Sequence, residues 1–197
     1  MIKPFRTRRS IAVAAGTAAI AAVVLLSAAP AAMSAPQQRG AITTSARTPM
    51  CSASDLGVWV ALDQAGVAAG TAYYPLEFTN LSKHTCTLYG FPGVSARASN
   101  GKQLGNPASR DHSVKARTVR LVPGATGYAL LEYSDVVTGN CPKASTRTAA
   151  ELQVYPPDQF QSDHAFWSLP ACTARGSSTF LHVRVIAAGI GVRGDGG

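Results

Sequence analysis

The sequence lacks the patterns by which enzymatic chemistry usually announces itself. There is no Gly-x-Ser-x-Gly elbow, so a serine hydrolase of that type has no place for its nucleophile. No two cysteines are close: Cys51, Cys86, Cys141 and Cys172 stand 35, 55 and 31 positions apart, whereas a zinc site wants close pairs. None of the four histidines, His84, His112, His164 and His182, falls at metal-ligand spacing from another histidine or from a cysteine. Paired carboxylates do not stand out, and no convincing amphipathic helix appears. These absences argue against an enzyme, a metal site or a cofactor, and leave a binding role as the expectation.

Acids are missing from the amino terminus. The first ten residues carry Lys3, Arg6, Arg8 and Arg9 against no carboxylate, and Ile11 to Leu26 is free of charge. Small residues follow from Ser27 to Ala35, completing the three-part pattern of a secretory signal peptide over residues 1–34. A membrane span wants about 20 apolar residues, and this core is shorter and runs into Pro30. Cleavage after Ala31 or after Ser34 fits equally. The Arg8-Arg9 pair also suits the twin-arginine route, so the export route stays open. No cysteine lies near the cleavage zone, so no lipid anchor is expected. The mature protein is therefore expected to be secreted, extracellular and without a stable membrane anchor.

The whole chain has 18 Lys and Arg against 10 Asp and Glu. Taking the four leader cations away leaves 14 against 10, a net of +4. That is far from the dense basic face of a nucleic-acid binder. It suits a weak attraction to anionic surfaces. An even cysteine count in an exported chain reads as two disulfides. Of the three connectivities the sequential one is favoured, Cys51–Cys86 and Cys141–Cys172. Each bond would close a loop of about 30 residues and contribute about 3 kcal/mol by restricting the unfolded chain.

Residues 35–50 read as a disordered polar linker, 51–190 as the domain and 191–197 as a flexible tail. Within the domain the pattern has period two. Leu56, Val58, Val60 and Leu62 alternate, then Tyr74, Leu76 and Phe78, with further strands at Cys86–Tyr89, Val94–Ala98 and Val119–Val122. Tyr128 to Tyr133, Glu151 to Tyr155 and Phe180 to Ile186 complete about eight short strands. Leu104 to Lys115 reads as a long polar loop, and Asp158 to Ser168 as a loop with room for one helical turn. The expected fold is an all-β, immunoglobulin-like β-sandwich.

Three stretches carry a family likeness. They are Leu76-Glu77-Phe78-Thr79-Asn80 with Cys86 to Val94, then Leu121-Val122-Pro123-Gly124 with Tyr128 to Leu131, then Leu152 to Pro157. Together they resemble domain-of-unknown-function family 4232, found in exported proteins of actinobacteria. The resemblance implies location and fold, and supplies no catalytic residue.

The strongest surface signal is basic. Arg97, Lys102, Arg110, His112, Lys115, Arg117 and Arg120 fall in one stretch whose single acid is Asp111. Arg97, Lys102, Arg110, Lys115, Arg117 and Arg120 form the candidate patch for an anionic ligand, with anionic cell-envelope polymers as natural partners. Asp163-His164 sits in a loop and could join a metal site with help from elsewhere, but a solvated or hydrogen-bonded histidine is the expectation. Phe160, Phe166 and Trp167, beside Asp158 and Asp163, are expected to pack onto the core rather than form a sugar platform. The Asn80-Leu81-Ser82 glycosylation triplet and the Arg193-Gly194-Asp195 adhesion tripeptide are weak short matches. The function expected is a secreted, non-enzymatic binding module of the bacterial cell envelope. The alternative is a secreted inhibitor of an extracellular enzyme such as a protease, docking through Tyr89 to Val94.

Overall fold

Alternating apolar residues become strands along most of the described chain, and no helix exceeds a single 3-10 turn. The computed structural model describes residues 47–68, 71–137, 139 and 141–191. All of them belong to the unit Ser45–Gly197. The leader, its cleavage zone and Arg193-Gly194-Asp195 lie outside the described residues.

The strands are β1 (Leu56–Val60), β2 (Gly66–Ala68), β3 (Thr71–Asn80), β4 (Cys86–Leu88), β5 (Gly93–Arg97) and β6 (Ser109–Arg110). Then come β7 (Val119–Leu121), β8 (Thr126–Ser134), β9 (Thr146–Tyr155), β10 (Asp163–Cys172), β11 (Leu181–Val183) and β12 (Ala187–Ala188). They form three sheets. The largest has the order β1-β3-β8-β11-β6, with β2 on β3 and β12 on β8. The second is β10-β9-β5 and the third β4-β7. Among the described residues all strand-to-strand pairings are antiparallel except β6 with β11.

One apolar core joins the sheets. Leu76, Phe78, Leu131 and Val183 from the large sheet meet Val94, Leu152, Val154 and Leu169 from the second. Trp167 of β10 packs on Tyr74 and Tyr133, with ring centroids 4.6 and 5.7 Å apart. Disulfides join Cys51 to Cys86 and Cys141 to Cys172, and no described cysteine is free. No helix among the described residues is long and apolar enough to cross a membrane.

Several expectations need correction. Leu62 does not continue β1; it lies exposed in a 3-10 turn, because the chain bends at Ala61. The loop with a helical turn over Asp158–Ser168 is in large part β10, which pairs with β9 from Val154 back to Thr146 with a register shift between Phe166 and Leu169. The polar loop Leu104–Lys115 buries Leu104 and contains β6. Strand character after Phe180 stops at Val183; the Arg184 N–H still donates to the Leu130 carbonyl of β8, and pairing with β8 resumes at β12. The linker ends before Met50: the Thr87 N–H donates to the Pro49 carbonyl at 2.9 Å, and Met50 bridges Thr87.

Candidate functional site

The basic stretch divides among several places because strands and turns within it point its cations different ways. Arg97 ends β5 and is used internally: it donates to the Gly101 carbonyl and, on its other side, to Gln153 Oε1 of β9. This holds the turn Ala98–Lys102 against the second sheet. Arg110, on β6, lies over the Phe91 ring at 6.0 Å, and His112 packs on the same ring at 4.6 Å.

Asp111, the stretch's one acid, is also used locally. Its Oδ1 accepts the Ser113 N–H at 2.9 Å, and its Oδ2 lies 3.2 Å from Arg184 Nε. That nitrogen donates no aligned hydrogen bond, so the contact is ionic. The hydrogen bonds from Ser113, with the Arg184 charge behind them, hold the Asp111 carboxyl below the usual carboxylate range. The acid therefore does little to neutralise the cations that follow it.

Lys102 reaches a polar cleft of about 800 Å³. One wall is the 98–106 segment; the other is the start of β9 and residues 173–177 after Cys172. Lys102, Arg147 and Arg175 line it, with Asn100, Gln103 and Asn106 among its polar groups, and it has no carboxylate. Asn106 Nδ2 joins the walls by donating to the Ser177 carbonyl at 3.2 Å. Arg147 is braced through Nη1, which donates to the Ala144 and Thr146 carbonyls at 2.9 and 2.8 Å. The walls come together at Gly105, whose φ is +70°. A Cβ there would sit 2.5 Å from the Cys172 carbonyl oxygen, so no other residue fits without movement.

Lys115, Arg117 and Arg120 line a different cleft, of about 480 Å³, opposite residues 185–188. Of the six cations read from the sequence, these three line one cleft, Lys102 lines the other, and Arg97 and Arg110 line neither. Arg147 and Arg175 were missed, since each stands alone in sequence and meets Lys102 only through folding.

Three of the four histidines have polar partners. His164 Nδ1 lies 3.0 Å from Glu151, and His84 Nε2 lies 3.5 Å from Asp55. No group of three or more His, Cys, Asp or Glu among the described residues is arranged to hold a metal. Ser109 Oγ and His182 Nδ1 share a hydrogen bond of 2.5 Å. Glu132 stands opposite His182 in the β8–β11 register but forms no ion pair with it. Asn80 is fully buried, its Nδ2 donating to the His84 and Leu121 carbonyls. Its side chain is therefore a strut, unavailable to a glycosyl transfer in the folded state.

The aromatics depart from expectation. Only Trp167 packs down; Phe160 and Phe166 are 97% and 82% exposed. Alternation along β10 turns Ala165 and Trp167 inward, which sends Phe166 outward.

The family model described as "Domain of unknown function (DUF4232)" matches residues 51–186. The chain belongs to that family. No curated protein and no solved structure matches it. The matched span of this DUF4232 domain holds both disulfides, both clefts except Ala187 and Ala188, and Gly105.

Proposed function

We propose that the chain is exported and acts, without chemistry of its own, as a binding module of the bacterial cell envelope that holds an anionic polymer in the cleft of Lys102, Arg147 and Arg175. One observation carries this reading: three cations from three separated segments converge on a polar cleft without a carboxylate. Such a wall attracts a polyanion, and the amides of Asn100, Gln103 and Asn106 can meet its oxygens and hydroxyls. Export is supported by the cationic, apolar and small-residue order of residues 1–34 and by disulfides that persist in oxidising compartments. The two sheets that share the core support an immunoglobulin-like sandwich as the finer description of the fold.

The test is a titration of the purified chain with polyphosphate and with uncharged dextran at low and high salt. Polyphosphate is expected to bind at low salt, to release at high salt and to lose about tenfold in affinity in the Arg147→Ser/Arg175→Ser variant. Equal affinity for dextran, or no effect of the variant, would sink the reading.

A further inference from the structure

The second cleft has a different chemistry and rests on different residues. Val119, Val185 and Ile186 are buried residues that line its apolar floor, and Val114 is half-exposed beside them. Lys115, Arg117 and Arg120 line the same space, and no carboxylate does. Among the described residues none of the three makes an ion pair, since Asp111 is engaged with Ser113 and Arg184.

A small inorganic anion bound there would leave the exposed apolar groups of the lining, Val114 and Ala188, in water. An uncharged hydrocarbon would leave three cations without a counter-charge. A ligand that satisfies both surfaces carries an apolar body and an anionic end. The volume, about 480 Å³, lies in the range of small-molecule sites and is small for a folded partner.

We propose that this cleft binds a single-chain amphiphilic anion, a long-chain carboxylate or alkyl phosphate. The tail lies along Val114 and Ala188, above the buried Val119, Val185 and Ile186, and the head lies among Lys115, Arg117 and Arg120. β7 pairs only with β4, and β12, two residues long, pairs with β8, so no backbone ladder joins the two strands that flank the cleft. The pairing Thr87↔Arg120 fixes the Arg120 backbone at the rim.

The experiment is calorimetric titration of the purified full chain with dodecanoate and dodecyl phosphate, both below their micelle concentrations. Saturable one-to-one binding is expected, weakening about two- to fourfold for each methylene removed from the tail. Dodecyltrimethylammonium, with the opposite head charge, is expected not to bind. Lys115→Ser/Arg117→Ser should weaken dodecanoate by about tenfold, and so should Ala188→Glu, an exposed position whose new carboxylate opposes the head. Unchanged circular dichroism would show that both variants fold. Arg147→Ser/Arg175→Ser should leave amphiphile binding unchanged, which separates this proposal from the polymer reading. Butanoate binding as tightly as dodecanoate, equal affinity for dodecyltrimethylammonium, or indifference to both rim variants would overturn the proposal. Binding to anionic vesicles without binding to the monomeric amphiphiles would overturn it as well.

Discussion

Gly105 and Cys172 are in backbone contact so close that a single methyl group at Gly105 would collide with the Cys172 carbonyl. The contact seats the 98–106 segment on the end of β10, beside the Cys141–Cys172 bond. Gly105→Ala combines this clash with a φ of +70°, and is expected to cost about 3 kcal/mol. Chemical denaturation would show the loss, whereas Gly101→Ala, at a φ of +78° but with open space around it, should lose less.

The two disulfides are expected to contribute similarly to stability and differently to binding. Removing either pair by Cys→Ser should cost about 3 kcal/mol, because the loops are of similar length, with separations of 35 and 31. Only loss of Cys141–Cys172 should also weaken polyphosphate binding, because residues 173–177 form one wall of the polar cleft. Equal loss of binding in both variants would mean that the cleft depends on global stability alone.

Glu77 and Asp111 should leave opposite marks on stability against pH. Burial raises the Glu77 pKa, with Asp63 adding to the rise and the Trp59 hydrogen bond opposing it. Its contribution is therefore fully present below the unfolded carboxylate pKa and is lost as pH rises through the folded value. Glu77→Gln should raise the melting temperature at neutral pH and remove that part of the decline. A wild-type and variant difference that stays constant from pH 4 to pH 8 would contradict this reading of burial.

Asp111 behaves in the reverse sense. Its lowered pKa gives stability that is present above the unfolded value and lost as pH falls through the folded one. Asp111→Ala should cost about 1 kcal/mol at neutral pH, through the lost turn hydrogen bond, and progressively less in acid. Thermal melts across that range would show the two curves converging at low pH.

Much of the fold was legible because β1, β3 and β8 alternate large apolar residues and are punctuated by Gly, Pro and Asn. β10 was hidden. Its inward positions include the small Ala165 and Ala171, its outward ones include His164 and Ser168, and Pro170 interrupts it. An edge strand tolerates that composition because only one side of it must pair. The candidate site was half legible. Composition marks Arg97 and Arg110 as cations just as it marks Lys115, yet Gln153 and Phe91 engage them, and both partners come from other strands or loops. Arg147 and Arg175 left no local signal, because their meeting with Lys102 depends on β9 lying beside β5.

The anchoring of Pro49 and Met50 on Thr87 has a mechanical meaning. Tension applied to the domain from its amino-terminal side first loads the hydrogen bonds to Thr87, then the Cys51–Cys86 bond directly behind them. Residues 52–85 lie inside that covalent loop, so β1, β2 and β3 are removed from the extensible length of the chain. Force bypasses them and enters at β4, whose pairing with β7 would be the first sheet contact to shear.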